Sequence, residues 1–299
     1  MKTIHFTKAE GAQNDFVIVD DRAGELPDEE RSRFAALSSH RRKGVGSDGA
    51  IYIDASDTHD FAMAFYNPDG SAGSMCGNGG RCAALFAVQN GIADREMRFT
   101  VLDRSYHARV DGNTVQLSFP PPLELRPAVT IDCDGEPCTV DYVDNGAPHI
   151  VVFADALPAS LRAPLADLDM NHVGLLLRHH PHFAPRGGNV NILERQDAGV
   201  IAIRTFEKGV EGETEACGTG ALASGMIAHL RAGAAPPVAL HTHGGDILRI
   251  HFTPSDAPSD DPRYYADDLM LEGPAHLVFD GCMVVTAPNT APDTRTAED

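Results

Sequence analysis

Positive charge is what this chain has least of. Only Lys2, Lys8, Lys43 and Lys208 are lysines, and 24 Lys+Arg against 43 Asp+Glu leave a formal net charge of −19. A surface this acidic repels phosphate backbones and anionic headgroups, so nucleic acid and membrane are not expected as partners. Such a composition suits a salt-rich cytoplasm, and GC-rich coding bias produces it equally well. Tryptophan is absent and aromatics make up 6%. No apolar run approaches the ~20 residues that span a bilayer. The first 20 residues lack the continuous apolar stretch of a secretion signal, so the expected location is the cytoplasm. The six cysteines (Cys76, Cys82, Cys133, Cys138, Cys217 and Cys282) include no Cys-x-x-Cys pair. That speaks against zinc and thioredoxin-type sites, and a cytosolic chain is not expected to carry a disulfide framework. Cys133 and Cys138 flank the turn Asp134-Gly135-Glu136-Pro137 and read as core or surface thiols.

What is present is ordinary globular material plus one internal echo. At 299 residues, with 42% hydrophobic content, the chain can bury a full core in one large or two mid-sized domains. Cys76-Gly77-Asn78-Gly79 and Cys217-Gly218-Thr219-Gly220 share the pattern Cys-Gly-polar-Gly, each followed by small and apolar residues. Each predicts a glycine-rich turn entering a buried helix with a thiol at its mouth. The two lie 141 residues apart, close to half the chain.

The surroundings repeat as well. Gly11-Ala12 and Gly146-Ala147 each precede an apolar run, and Tyr66-Asn67 and Phe206-Glu207 each stand about ten residues before a cysteine. Strands are predicted at 3–6, 16–19, 50–53, 61–66, 97–102, 105–110 and 114–119, with a helix at 28–39 and the first Cys-Gly helix at about 78–89. Pro120-Pro121-Pro122 then breaks the pattern. Strands follow at 129–132, 139–143, 150–153, 189–193 and 200–206, and the second Cys-Gly helix ends near Gly233. Agreement of turn, strand, turn and Cys-Gly helix points to a duplicated unit whose copies face each other. The expected fold is mixed α+β in two similar halves. The first is 1–120, to which a last strand around 275–287 could return; the second is 121–274. Residues 255–268 read as an acidic, Pro-rich insertion and 288–299 as a disordered tail.

A helix N-terminus offers unpaired N–H groups and partial positive charge. It binds a carboxylate and draws a nearby thiol from ~8.5 toward neutrality. With the halves facing, one anion can lie between both helix ends, Cys76 on one side and Cys217 on the other. Two acid/base groups on opposite faces of one carbon can invert a stereocentre: one takes the α-proton as thiolate, the other returns a proton as thiol. Carbanion charge spreads into the carboxylate, where the N–H groups already point. No cofactor and no metal are then required.

Over nearly its whole length the chain resembles the diaminopimelate epimerases, a cofactor-independent racemase family. The resemblance rests on Gln13-Asn14-Asp15-Phe16, Gly46-Ser47-Asp48-Gly49, Asn67-Pro68-Asp69-Gly70-Ser71, both cysteine blocks, Gly146-Ala147-Pro148-His149, Asn189-Val190-Asn191, Glu207-Lys208-Gly209, Gly244-Gly245-Asp246 and Gly273-Pro274-Ala275. It implies a curved sheet around a central helix in each half, related by a pseudo-two-fold, with the active site in the cleft between them. It implies interconversion of LL- and meso-2,6-diaminopimelate, for lysine and cell-wall precursors, by a homodimer. Cys76 and Cys217 would be the base and acid. Gly77 with Asn78, and Gly218 with Thr219, would hold the reacting centre's carboxylate and amine. Asn14, Asn67 and Asn189 would bind polar groups of the substrate; His149 and Glu207 would tune the thiols, with Glu207 and Lys208 near the substrate as well.

Two positions depart from the family pattern. Ala147 stands where Asn is usual, and Lys208 where Arg is usual. Both serve the distal end of the substrate, and Lys lacks the planar two-pronged contact of Arg. A racemase of another amino acid, basic or histidine, is therefore an alternative, as is a non-catalytic amino-acid-binding module.

Overall fold

A computed structural model describes residues 1–196, 199–254 and 266–285. Most of the acidic insertion read at 255–268, and the whole tail from Pro288, lie outside these residues. The first half runs β1 (Lys2–Gly11), β2 (Asn14–Asp20), α1 (Asp28–Ser39), β3 (Ala50–Asp54), β4 (Phe61–Tyr66), α2 (Gly77–Gln89), β5 (Glu96–Val101), β6 (Arg104–Asp111) and β7 (Thr114–Ser118). After the proline connector come β8 (Glu124–Cys133), β9 (Glu136–Asp144), β10 (Pro148–Phe153), α3 (Met170–Arg178), β11 (Asn189–Arg195), β12 (Ile201–Glu207) and β13 (Gly212–Thr214). The chain closes with α4 (Gly218–Ala232), β14 (Val238–His241), β15 (Ile247–Pro254), β16 (Ala266–Pro274) and β17 (His276–Val285).

The described strands form one 17-stranded mixed sheet. Following the pairings, its order is β17-β1-β2-β3-β4-β5-β6-β7, then β16-β15-β14-β12-β11-β10-β9-β8, with β13 added on β12. Orientations match across the midpoint. β2–β3 and β10–β11 are parallel, as are β4–β5 and β12–β14. The meander β5-β6-β7 answers β14-β15-β16. A pseudo-two-fold therefore passes between β7 and β16, whose register runs Met270↔Ser118 to Pro274↔Thr114.

Each half curls around one helix. Cys82, Ala83, Ala84, Leu85, Phe86 and Ala87 of α2 are all buried in one core; Ala221, Leu222, Ala223, Met226, Ile227 and Ala228 of α4 are buried in the other. A helix apolar on every face is stable only when enclosed, and small residues let the sheet close tightly around it. Outside the sheet, α1 sets Phe34 and Ala35 among residues of β2 and β3, and α3 sets Val173 and Leu177 against Val190 and Phe206.

Helix α3 was not foreseen in the sequence; it caps on Asp169, whose Oδ1 accepts the His172 N–H at 3.0 Å. Strands β13 to β16 were also missed. β16 opens Ala-Asp-Asp, a poor strand signal, and holds because it pairs on both edges, with β15 and β7.

Candidate active site

Both cysteines are N-caps. Cys76 precedes α2 with φ −108° and ψ 118°, and Cys217 precedes α4 with φ −119° and ψ 114°. Their matching extended conformations turn the chain so that each helix starts at the midline. There the helices meet through glycine: a Cβ built on Gly218 would lie 3.4 Å from Gly77 Cα, and one on Gly77 would lie 3.6 Å from Gly218 Cα. Leu271 closes the floor symmetrically, its Cδ2 3.1 Å from either of those Cβ positions. A side chain at 77 or 218 would press first on Leu271 and would fill the space between the two helix mouths.

A cavity of about 760 Å³ opens above this point. Asn14, Asn67, Cys76, Gly77 and Asn78 line it from one half, and Glu207, Cys217, Gly218 and Thr219 from the other. Cys76 Sγ lies 3.7 Å from Asn14 Oδ1. Cys217 Sγ accepts the Gly220 N–H at 3.4 Å and stands 3.6 Å from Thr219 Oγ1. Asn78 reaches across the midline, donating to Asn14 Oδ1 and to Ala216 O, each at 3.3 Å. Asn67 lines the cavity while donating to Ser71 Oγ at 3.0 Å, so it also holds its own turn.

Three residues singled out in the sequence lie outside the lining. His149 is fully buried; its Nδ1 is 3.2 Å from Asn191 Nδ2, and its Nε2 has no partner. Asn189 is spent on local structure, donating to Pro148 O at 3.1 Å and accepting the Lys208 N–H at 2.8 Å. Lys208 is held by its Nζ on Arg186 O at 3.0 Å. Conversely, Arg41, Asp48, Glu213 and Glu215 line the cavity without having been assigned a role. The loop containing Asp48 was visible as Gly46-Ser47-Asp48-Gly49; no local signal brings Arg41 to it. Gln13 Nε2 donates to Gly244 O across the rim, tying the halves together.

The helix-end pull on the thiols is outweighed. Burial and the Glu207 carboxylate push Cys217 up to about 12, against the lowering by Thr219 and the Gly220 N–H. Burial raises Cys76 as well, and Glu207 adds to it, while the Gly79 and Asn78 N–H groups and Arg81 oppose. Glu207 itself is raised, first by burial and then by Asp48, with a Thr214 hydrogen bond acting the other way. Burial depresses His149 to about 3, so the ring is neutral. Both sulfurs are thus held as thiols until something in the cavity stabilises charge. Among the described residues no His/Cys/Asp/Glu group could hold a metal ion, and no helix is long and apolar enough to cross a membrane.

Two facing helix mouths inside a continuous two-half sheet define an α+β class with known members. A phenazine biosynthesis protein of the PhzF family from Bacillus anthracis has this fold (TM-score 0.68, 14% identity, covering 95% of this chain and 100% of that one). So does a hydroxyproline epimerase from Agrobacterium vitis (TM-score 0.65, 14% identity, 96% and 94% covered). At such identity the fold is what is shared.

The sequence narrows the class: residues 6–115 and 142–256 match the diaminopimelate epimerase family. Among curated relatives, the diaminopimelate epimerase of Hydrogenobaculum sp. is 36% identical over 287 residues, covering 93% of this chain and 97% of that protein. That of Archaeoglobus fulgidus is 34% identical over 293 residues, covering 94% and 96%. The chain belongs to the diaminopimelate epimerase family.

Proposed function

We propose that this protein is a diaminopimelate epimerase, interconverting LL- and meso-2,6-diaminopimelate in the cytoplasm for lysine and cell-wall synthesis. The observation that carries the reading is the pair of cysteine N-caps at one cavity, with Gly77 and Gly218 nearly touching beneath it. The substrate carboxylate sits over both helix ends, against the N–H groups that follow Gly77 and Gly218, with Asn78 and Thr219 beside it. One sulfur, its proton released to solvent as the substrate's charges settle in the cavity, is the thiolate that takes the α-proton. The other, a thiol on the opposite face, delivers its proton to the planar carbanion. From thiolate and thiol at the start to thiol and thiolate at the end, the two sulfurs exchange protonation states, and these two transfers gain or lose no proton. The developing negative charge meets fixed N–H dipoles, so no electron sink is needed.

Asn14 and Asn67 contact the substrate's polar groups, and Glu207 faces both thiols. Asn189 acts from behind, holding the Lys208 backbone, and Lys208 supplies charge for the distal end. His149 supports Asn191 and the mouth of α4. The division 1–120 with 275–287, against 121–274, belongs to the same proposal. A homodimer is supported by β17. Among the described residues it pairs only with β1, and it leaves Val278 56%, Phe279 49% and Val284 57% exposed, an uncovered edge. A monomer mass by sedimentation would refute the dimer.

The deciding experiment is α-deuterium incorporation in D2O over diaminopimelate, lysine, ornithine, histidine, glutamate and proline. Exchange with diaminopimelate alone is expected. Exchange with another amino acid and not with diaminopimelate would assign Ala147 and Lys208 to a different substrate. No exchange with any would favour a binding module.

A further inference from the structure

The loop between α1 and β3 brings Asp48 to the cavity wall, where it holds the far end of Asn14. Asp48 Oδ2 accepts from Asn14 Nδ2 at 2.7 Å and from the Asp15 N–H at 3.1 Å; its Oδ1 accepts from Arg41 Nη2 at 2.6 Å. Arg41 also forks Asp15 at 3.1 and 2.8 Å, and Lys8 Nζ donates to Asp15 at 2.5 Å. An aspartate carboxylate accepts hydrogen bonds and does not donate them. The Asn14 carboxamide then has one orientation only. Its NH2 faces Asp48, and its carbonyl faces Cys76 Sγ and Asn78 Nδ2. Asn78 is fixed likewise, because its NH2 must also serve Ala216 O. A carbonyl can accept an S–H; it has nothing to offer a thiolate. The second half has no such device. Cys217 Sγ receives an N–H and stands beside a hydroxyl that is able to donate.

We propose that Asp48 is a positioning residue that turns the Asn14 carbonyl onto Cys76 and so holds Cys76 as the thiol, the proton-donating partner, in the unliganded protein. The inference rests on Cys76 being an acid/base group. Other groups act on Cys76 too: Glu207 across the cavity favours the protonated thiol, while Arg81 behind it and the N–H groups of Asn78 and Gly79 oppose. Arg81 and these N–H groups stay in place when Asp48 changes; Glu207 loses the influence of the Asp48 charge, a change that reaches Cys217 as well and that persists in the Asn14→Ala background.

Alkylation of the two cysteines by iodoacetamide, resolved by peptide mass spectrometry, reads thiolate fraction without turnover. Its outcome is therefore independent of the deuterium-exchange test. In Asp48→Asn the new amide can donate as well as accept, which frees Asn14 to turn its NH2 toward the sulfur, with Asn78 giving up its bond to Asn14 and keeping the one to Ala216 O. The Cys76/Cys217 rate ratio at pH 8 is expected to rise about tenfold, the scale of one exchanged hydrogen bond to a charged group. The same change in an Asn14→Ala background should leave the ratio within about twofold, since the relay is gone. An unmoved ratio in Asp48→Asn overturns the proposal. So does an equal rise in the Asn14→Ala background, which would mean that the Asp48 charge acts through space. If Asp48→Asn does not fold, Asp48→Ser serves with the same outcomes, its hydroxyl also being able to donate.

Discussion

The mouths of α2 and α4 carry the same thiol, the same Cys-Gly-x-Gly turn and the same midline glycine, yet their surroundings differ. At α2 a side chain from β2, Asn14, reaches the sulfur directly. At α4 the equivalent place on β10 is His149, withdrawn behind the wall and linked to Asn191 instead. Behind Cys76 lies Arg81, fully buried, bonded to Pro274 O and Gly77 O and, among the described residues, with no carboxylate within ion-pair distance; the matching position in α4 is Leu222. Duplication therefore supplied two copies of the backbone cradle, and divergence of the flanking side chains made the two thiols chemically distinct. That suits a pair in which one sulfur must hold a proton while the other lacks one.

The largest effect should come from the sulfurs themselves. Cys76→Ala and Cys217→Ala should each lower α-deuterium incorporation by about 10²–10⁴, the usual worth of an acid/base group. A variant that keeps the wild-type rate would break the equivalence of the two mouths.

Next comes His149, the titratable counterpart of Asn14. Its folded value of about 3 lies below the ordinary 6.5, so below pH 6.5 the unfolded chain binds more protons than the folded one. The stabilisation is complete above pH 6.5 and is lost as pH falls toward 3, by up to about 1.4 kcal/mol per pH unit. Urea titrations at pH 7 and pH 4 should show wild type losing about 2–3 kcal/mol more than His149→Gln. Parallel losses would mean that the ring is not held neutral.

The second glycines sharpen the contrast further. A Cβ at Gly220 would meet Asn191 Oδ1 at 2.4 Å, and that oxygen already accepts from Thr205 Oγ1 at 3.0 Å. A Cβ at Gly79 would come closest to the end of Ile51, at 3.1 Å, with Phe16 Cζ at 3.5 Å and Cys76 Cβ at 3.6 Å in ordinary contact. Overpacking costs about 1–3 kcal/mol, and helix propensity returns up to about 1. Thermal melts should thus show Gly220→Ala destabilised by about 1–2 kcal/mol and Gly79→Ala nearly neutral. The reverse order would refute this account of the two mouths.

The smallest effect tests what the thiols share. Glu207 raises both, so Glu207→Gln should speed alkylation of Cys76 and Cys217 alike, by roughly threefold to tenfold at a fixed pH. A response at one cysteine alone would show that Glu207 faces only that half.

Local pattern was enough for the helix 28–39 and the strand 61–66, whose bounds coincide with α1 and β4, and came within a residue of the start of α2 and of the end of α4. It missed β13 and β14, which are three and four residues long, and β16, which opens on acidic residues and is held by neighbours on both sides; β15 alternates apolar and polar residues and was legible but passed over. Among the residues singled out for the site, Asn14, Asn67, Glu207 and those of the two cysteine blocks line the cavity. Asn189, His149 and Lys208 do not line it, because each is claimed by a tertiary partner that no local reading contains. The place of Arg41 beside Asp15 and Asp48 was illegible for the same reason.

The chain alone determined that there are two thiols, each preceding a glycine-rich helix start, and that its halves echo each other. Short-range geometry is written in adjacent residues. Which way each sulfur's partner points, how burial reverses the pull of the helix ends, and which polar groups are already taken were decided only by the packed structure. Those depend on groups far apart in the chain sharing one water-poor space, where desolvation outweighs local dipoles.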